Sequence, residues 1–233
     1  MTRRSPLSLP RRDTLVVLFS LCAITALAWA YLIDMASNMT TMSMSLTVEM
    51  MSVRPWTGRE FGLMFLMWTI MMVAMMVPTA IPMTLMYAAV ARKADACHAP
   101  IAPTSVFVTG YLIIWTVFSI VATTAQWGLD QAALLSPMLV TTSPTIGATL
   151  LITAGLYQLT PLKQACLRKC RGPIHFLAHH WRPGTIGALR MGVEHGFFCL
   201  GCCWILMGLL FLGGVMNLMW IATITLFVLL EKV

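Results

Sequence analysis

Six apolar runs limit what this chain can become: residues 14–33, 60–91, 104–127, 146–163, 185–212 and 215–230. Several reach or pass the roughly 18 apolar residues that mark a membrane-spanning helix. In hydrocarbon only helices and closed barrels satisfy every backbone amide and carbonyl. The runs are helical in length and do not alternate in polarity, so strands are excluded. The expected fold is therefore all-α: one polytopic membrane helical bundle over residues 1–233, with about six transmembrane helices. Composition agrees. The chain is 59% hydrophobic and only 10% charged, where a soluble domain carries about a quarter charged residues.

Charge placement gives orientation. A net charge of +7 can signal nucleic acid or anionic lipid. Here the basic residues follow the loops instead, and no nucleic-acid partner is expected. With six spans, segments 1–13, 92–103, 163–190 and 231–233 fall on one side and hold all the Lys and Arg except Arg54 and Arg59. The positive-inside bias then puts both termini in the cytoplasm. The expected localisation is a bacterial inner membrane, multi-pass, with the lipid bilayer as the main partner. The first run exceeds a signal-peptide core, so a retained anchor is expected after the basic segment 1–13.

Seven cysteines and twenty methionines then need a reason. Cys22, Cys166, Cys199, Cys202 and Cys203 lie within or at the ends of apolar runs, which is no disulfide framework. Segment 34–59, placed outside the cell, sets Met35, Met39, Met42, Met44, Met50 and Met51 among Ser, Thr and Asn. Two readings stand there: an interfacial helix with its Met face in lipid, or loose thioether capture of Cu(I). In the second run Met64, Met67, Met71 and Met75 form a stripe at helical spacing, beside Met72, Met76 and Met83. Packing explains such a stripe first; soft-metal donors explain it second. Pro78 and Pro82 are expected to kink or break that helix.

The densest chemistry is His195-Gly196-Phe197-Phe198-Cys199-Leu200-Gly201-Cys202-Cys203-Trp204. At about 100° per residue, Met191, His195, Cys199 and Cys202 share an arc of roughly 80°. Cys203 lies just outside it and Trp204 points away. Single buried cysteines are usually small apolar fillers; three within five residues, four positions after a histidine, are better read as ligands. Imidazole, thiols and a thioether on one face suit a soft ion, Cu(I) first and zinc second. Gly192, Gly196 and Gly201 allow close approach of another helix, and the Met-bearing second run is the expected neighbour, bringing Met71 and Met75. Cys166 and Cys170, spaced i, i+4 beside His175, His179 and His180, are a second candidate position. Glu194, an ionisable group at membrane depth, reads first as functional; the plain alternative is a pair with Arg190 four residues away, holding the helix's inner end.

These motifs occur together in one family. Met67-Trp68, Met71, Ala74-Met75-Met76, Pro78 and Pro82, Gly110-Tyr111, Trp115, Gly155-Leu156-Tyr157-Gln158-Leu159-Thr160-Pro161-Leu162-Lys163, Cys166, Cys170-Arg171, the His195–Trp204 stretch, Met207 and Glu231-Lys232 resemble the bacterial family of predicted metal-binding integral membrane proteins, often labelled copper chaperones. The resemblance runs from about residue 60 onward. It implies a multi-span membrane protein with copper as the favoured ion, and a chain that continues past the Glu-Lys pair.

The expected function is binding of a soft metal ion, Cu(I), for copper handling, delivery or transport, with no catalytic activity. The expected metal set is His195, Cys199, Cys202, Cys203, Met191, Met71, Met75, Cys166 and Cys170. Two alternatives remain: a membrane thiol–disulfide oxidoreductase using Cys199 and Cys202, or a structural subunit of a membrane protein complex.

Overall fold

The computed structural model describes residues 11–45, 56–95, 102–132, 144–215 and 217–232. Nine helices cover them: α1 (Arg11–Ser45), α2 (Gly58–Asp95), α3 (Thr104–Gln131), α4 (Pro144–Gln158), α5 (Pro161–Arg171), α6 (Pro173–His180), α7 (Gly184–Gly208), α8 (Leu210–Gly213) and α9 (Leu218–Lys232). No strand occurs among the described residues. The all-α expectation is met. Four helical segments are long and apolar enough to cross a membrane: Arg12–Asn38, Gly58–Lys93, Thr104–Gln131 and Gly184–Gly213. The bent pair α4 and α5 would make a fifth. At 15 residues, α9 is shorter than these.

Three local features depart from the sequence expectations. First, α1 does not stop at Ile33 but runs to Ser45, so much of the Met-rich segment 34–59 is helical. The side chains of Met39, Met42 and Met44, and all of Met50 and Met51, lie outside the described residues, as do segment 1–10 and Cys97-His98. Secondly, of the expected kink or break in α2, the break does not occur: the helix continues through Pro78 and Pro82. Proline at 78 has no N–H to offer the Ala74 carbonyl four residues back. The indole N–H of Trp29, on α1, donates to that carbonyl instead at 3.2 Å. Thirdly, the run 146–163 is bent by 64° between α4 and α5. Pro161 occupies the first turn of α5, and the Thr160 side chain accepts from the Lys163 amide as its N-cap.

Side-chain ties fix the helix ends. Thr57 and Glu60 form a capping box that starts α2: the Thr57 amide and hydroxyl both donate to Glu60, at 2.6 and 2.9 Å. The Trp56 indole donates to Asp130 at 2.8 Å, and Trp68 to Gln126 at 2.6 Å, clipping the start of α2 to the end of α3. At the opposite ends, Arg92 of α2 pairs with Asp13 of α1. Gly214, at φ 92°, turns the chain from α8 toward α9 in a conformation that only glycine adopts readily.

The core positions the site. The helix packed most closely on α7 is α3. Gly110 and Gly192 make that possible: a Cβ at Gly192 would strike the Phe107 carbonyl, and one at Gly110 the Leu189 carbonyl. The expected neighbour, α2, packs instead on α1 and α3 and touches α9. One large apolar core includes Met71, Met75, Met76, Tyr111, Trp115, Cys199, Cys202 and Cys203. A smaller one gathers Met83, Tyr87, Phe107, Phe176 and Met191.

Candidate metal centre

The buried residues of α7 are Gly187, Ala188, Met191, Gly192, His195, Gly196, Cys199, Cys202, Cys203, Ile205, Leu206 and Met207. Up to Cys199 that is the i, i+3/i+4 stripe of a helix covered on one side; beyond it the burial widens. Trp204 is turned outward, 49% exposed, as its place on the wheel requires. Cys203, expected at the margin, is fully buried, because α5 and α9 cover that flank as well.

Within this stripe the thiols converge. Cys202 and Cys203 both donate to the Cys199 carbonyl, each at 3.0 Å. The Tyr111 hydroxyl, from α3, lies 3.1 Å from the Cys199 sulfur and donates to the Met76 carbonyl of α2 at 3.1 Å. Helix α5 adds two more thiols. Cys170 packs, half-buried, against the core that holds Cys199 and Cys202, and Cys166 lies against Gly201, where a Cβ would come within 2.9 Å of its sulfur. Tyr157 of α4 donates to the Gly201 carbonyl on the same flank. Cys166 and Cys170, read from the sequence as a separate candidate position, thus lie against the α7 thiols rather than apart from them. The 64° bend carries α5 back onto α7 and brings them there.

His195 stands at the inner edge of this group, 3% exposed. Its ring stacks on Tyr111 and Phe107, with centroids at 5.5 and 6.1 Å, and meets Phe176 edge-on at 5.7 Å. Its Nδ1 is buried without a hydrogen-bond partner. A buried ring nitrogen left unpaired is costly and is free to accept a ligand.

The other expected residues are placed less closely. Met71 and Met75 are fully buried in the core that holds the thiols. Met191 belongs to the smaller core with Phe107 and Phe176. Glu194 pairs with Arg182 at 3.0 Å rather than with Arg190; the loop before α7 reaches it where the i−4 arginine does not.

One central residue was not anticipated. Lys232, at the last turn of α9, was counted with the surface charges but is only 8% exposed. Its ammonium donates to the Cys199 sulfur at 2.8 Å and to Thr79 at 3.3 Å, with the sulfurs of Met76 and Cys203 at 3.9 and 4.0 Å. Its neighbour Glu231 pairs with the buried Lys163 of α5. A charged pair ending an apolar run was the available signal, since an ionisable group inside such a run is a functional-site hypothesis by default. Among the described residues, no three His, Cys, Asp or Glu side chains are already arranged around one ion position. The geometry accounts for this: two thiols turn onto a carbonyl, and the Lys232 ammonium stands against the third.

Fold and site together define a helical protein with a thiol-rich centre buried among apolar helices. A family model described as a copper chaperone, PpoB2, matches residues 65–233, and the chain belongs to that family. The match takes in all the thiols of the centre, His195 and Lys232. Comparison with curated proteins and with solved structures found no match.

Proposed function

We propose that this chain is a multi-pass protein of a bacterial inner membrane that holds Cu(I) as cargo at the α5–α7 thiols and passes it on. Family membership supports copper handling. The observation that carries the site assignment is the packing of Cys170, half-buried on a second helix, against the core in which Cys199, Cys202 and Cys203 are buried. Sulfur donors are what Cu(I) selects. Isolated buried cysteines have no need to meet across a helix interface. Cys199 and Cys202 are the leading ligands, Cys203 and Cys170 complete the sulfur set, and the unpaired Nδ1 of His195 supplies a nitrogen. Cys166, Met191, Met71 and Met75 border the centre as weaker donors. Zinc is the second choice of ion.

Membrane insertion is supported by the four long apolar helices and by large apolar side chains left outward, such as Phe19, Leu27, Ile186, Phe197 and Leu230. The bent pair α4–α5 and the shorter α9 serve as fifth and sixth spans. A bend at membrane depth is tolerated where protein covers it, and such breaks sit beside binding sites. The Arg92–Asp13 and Trp56–Asp130 ties each join helix ends that this topology puts on the same side. Lys163 and Lys232 are buried and drop out of the surface tally, but the remaining basic residues keep the N-terminus cytoplasmic.

The test is Cu(I) retention by purified protein against a competing chelator. Wild type is expected to keep Cu(I) in stoichiometric amount, and the double variant Cys199→Ser/Cys202→Ser to lose it. Equal retention by both would remove the assignment.

A further inference from the structure

The thiol centre contains its own cation. The Lys232 ammonium touches Cys199, Thr79, Met76 and Cys203, and none of these is a carboxylate. Its neighbour Glu231 is already matched by Lys163. Among the described residues, the nearby Glu194 is matched by Arg182. The buried Lys163 is thus matched and Glu194 has its own partner, whereas the buried Lys232 ammonium faces sulfur.

Thiols that bind a metal do so as thiolates. In a buried site the sum of thiolate, metal and fixed charges must come close to zero, because a net charge in low dielectric is penalised steeply. We infer that Lys232 sets the ionic charge this centre accepts, lowering by one the cargo charge that gives neutrality and so favouring a monovalent soft ion. With the two leading ligands Cys199 and Cys202 as thiolates, and Cys203 and Cys170 keeping their protons, one monovalent ion and the ammonium sum to zero; a divalent ion leaves a positive charge uncompensated. This rests on the reading of the thiols as a cargo site and adds what that reading lacks, a reason for Cu(I) over zinc. Lys232 acts here through charge and is not itself a ligand: the ammonium has no lone pair to give.

The experiment compares Ag(I), as a stable monovalent probe, with Cd(II), a divalent one, by titrating the ultraviolet thiolate–metal absorption of wild type, Lys232→Met and Lys232→Arg in detergent. Wild type is expected to prefer Ag(I). In Lys232→Met the affinity ratio should shift toward Cd(II) by about tenfold or more, and Lys232→Arg, which keeps the charge, should behave as wild type. If wild type binds neither ion at its thiols, the cargo-site reading fails and takes this inference with it. If wild type binds and the ratio is the same in all three proteins, only the role of Lys232 is overturned. If Lys232→Met does not fold, the arginine variant decides: a ratio moved away from wild type contradicts a role based on charge.

Discussion

The Tyr111 hydroxyl lies 3.1 Å from the Cys199 sulfur while donating to the Met76 carbonyl at 3.1 Å. One side chain of α3 therefore joins the helix that bears the thiols to the helix that bears the methionines. Tyr111→Phe keeps the ring that stacks on His195 but removes this tie. A buried hydrogen bond of this kind contributes about 1 kcal/mol. The variant should unfold slightly earlier, and its Cys199 should react faster with a small alkylating agent. An unchanged alkylation rate would mean that Tyr111 does not restrain the thiol.

The Trp29–Ala74 bond compensates for a proline, and compensation is measurable as coupling. Trp29→Phe leaves the Ala74 carbonyl without a donor, at a cost of about 1–3 kcal/mol. Pro78→Ala gives that carbonyl a backbone N–H of its own. The cost of Trp29→Phe should shrink in the Pro78→Ala background. Equal costs in both backgrounds, measured by thermal unfolding in one detergent, would show that the indole bond is incidental.

Much of this fold was readable beforehand because its signals are local. Apolar run length gave the helices α1, α2, α3 and α7, and the 100° periodicity put Met191, His195, Cys199 and Cys202 on one face. What could not be read were relations between helices. Periodicity marks a buried face without saying what buries it, so α2 was expected where α3 lies; the contact of Gly110 with Gly192 decided this. The bend at Thr160-Pro161 returns α5 to α7, and only that fold-back packs Cys166 and Cys170 against the core of Cys199 and Cys202. Lys232 looked like a surface charge because sequence position near the end of a run says nothing of depth.

The glycine contact carries its own prediction. Gly192→Ala drives a Cβ into the Phe107 carbonyl, and backbone, unlike a flexible side chain, cannot swing away. Overpacking of this sort costs about 1–3 kcal/mol or more. The yield of monodisperse protein should fall sharply, whereas Gly155→Ala, with open space around its Cβ, should leave yield unchanged. Similar yields would contradict the close crossing of α3 and α7.

Orientation is tested separately from metal. Reporter fusions after Gly172 should be active only in the cytoplasm, and insertions near Trp56 only outside it. The opposite pattern would invert the topology without moving a single thiol.

The central claim is that thiols from α5 and α7 are gathered to hold a soft ion. X-ray absorption at the copper edge, on wild-type protein loaded with Cu(I) and freed of excess, tests it most directly. The expected spectrum is that of Cu(I) in a shell dominated by sulfur, with at most one nitrogen, and it should be lost in Cys199→Ser/Cys202→Ser. Copper bound only through nitrogen and oxygen, or no copper retained, would contradict it.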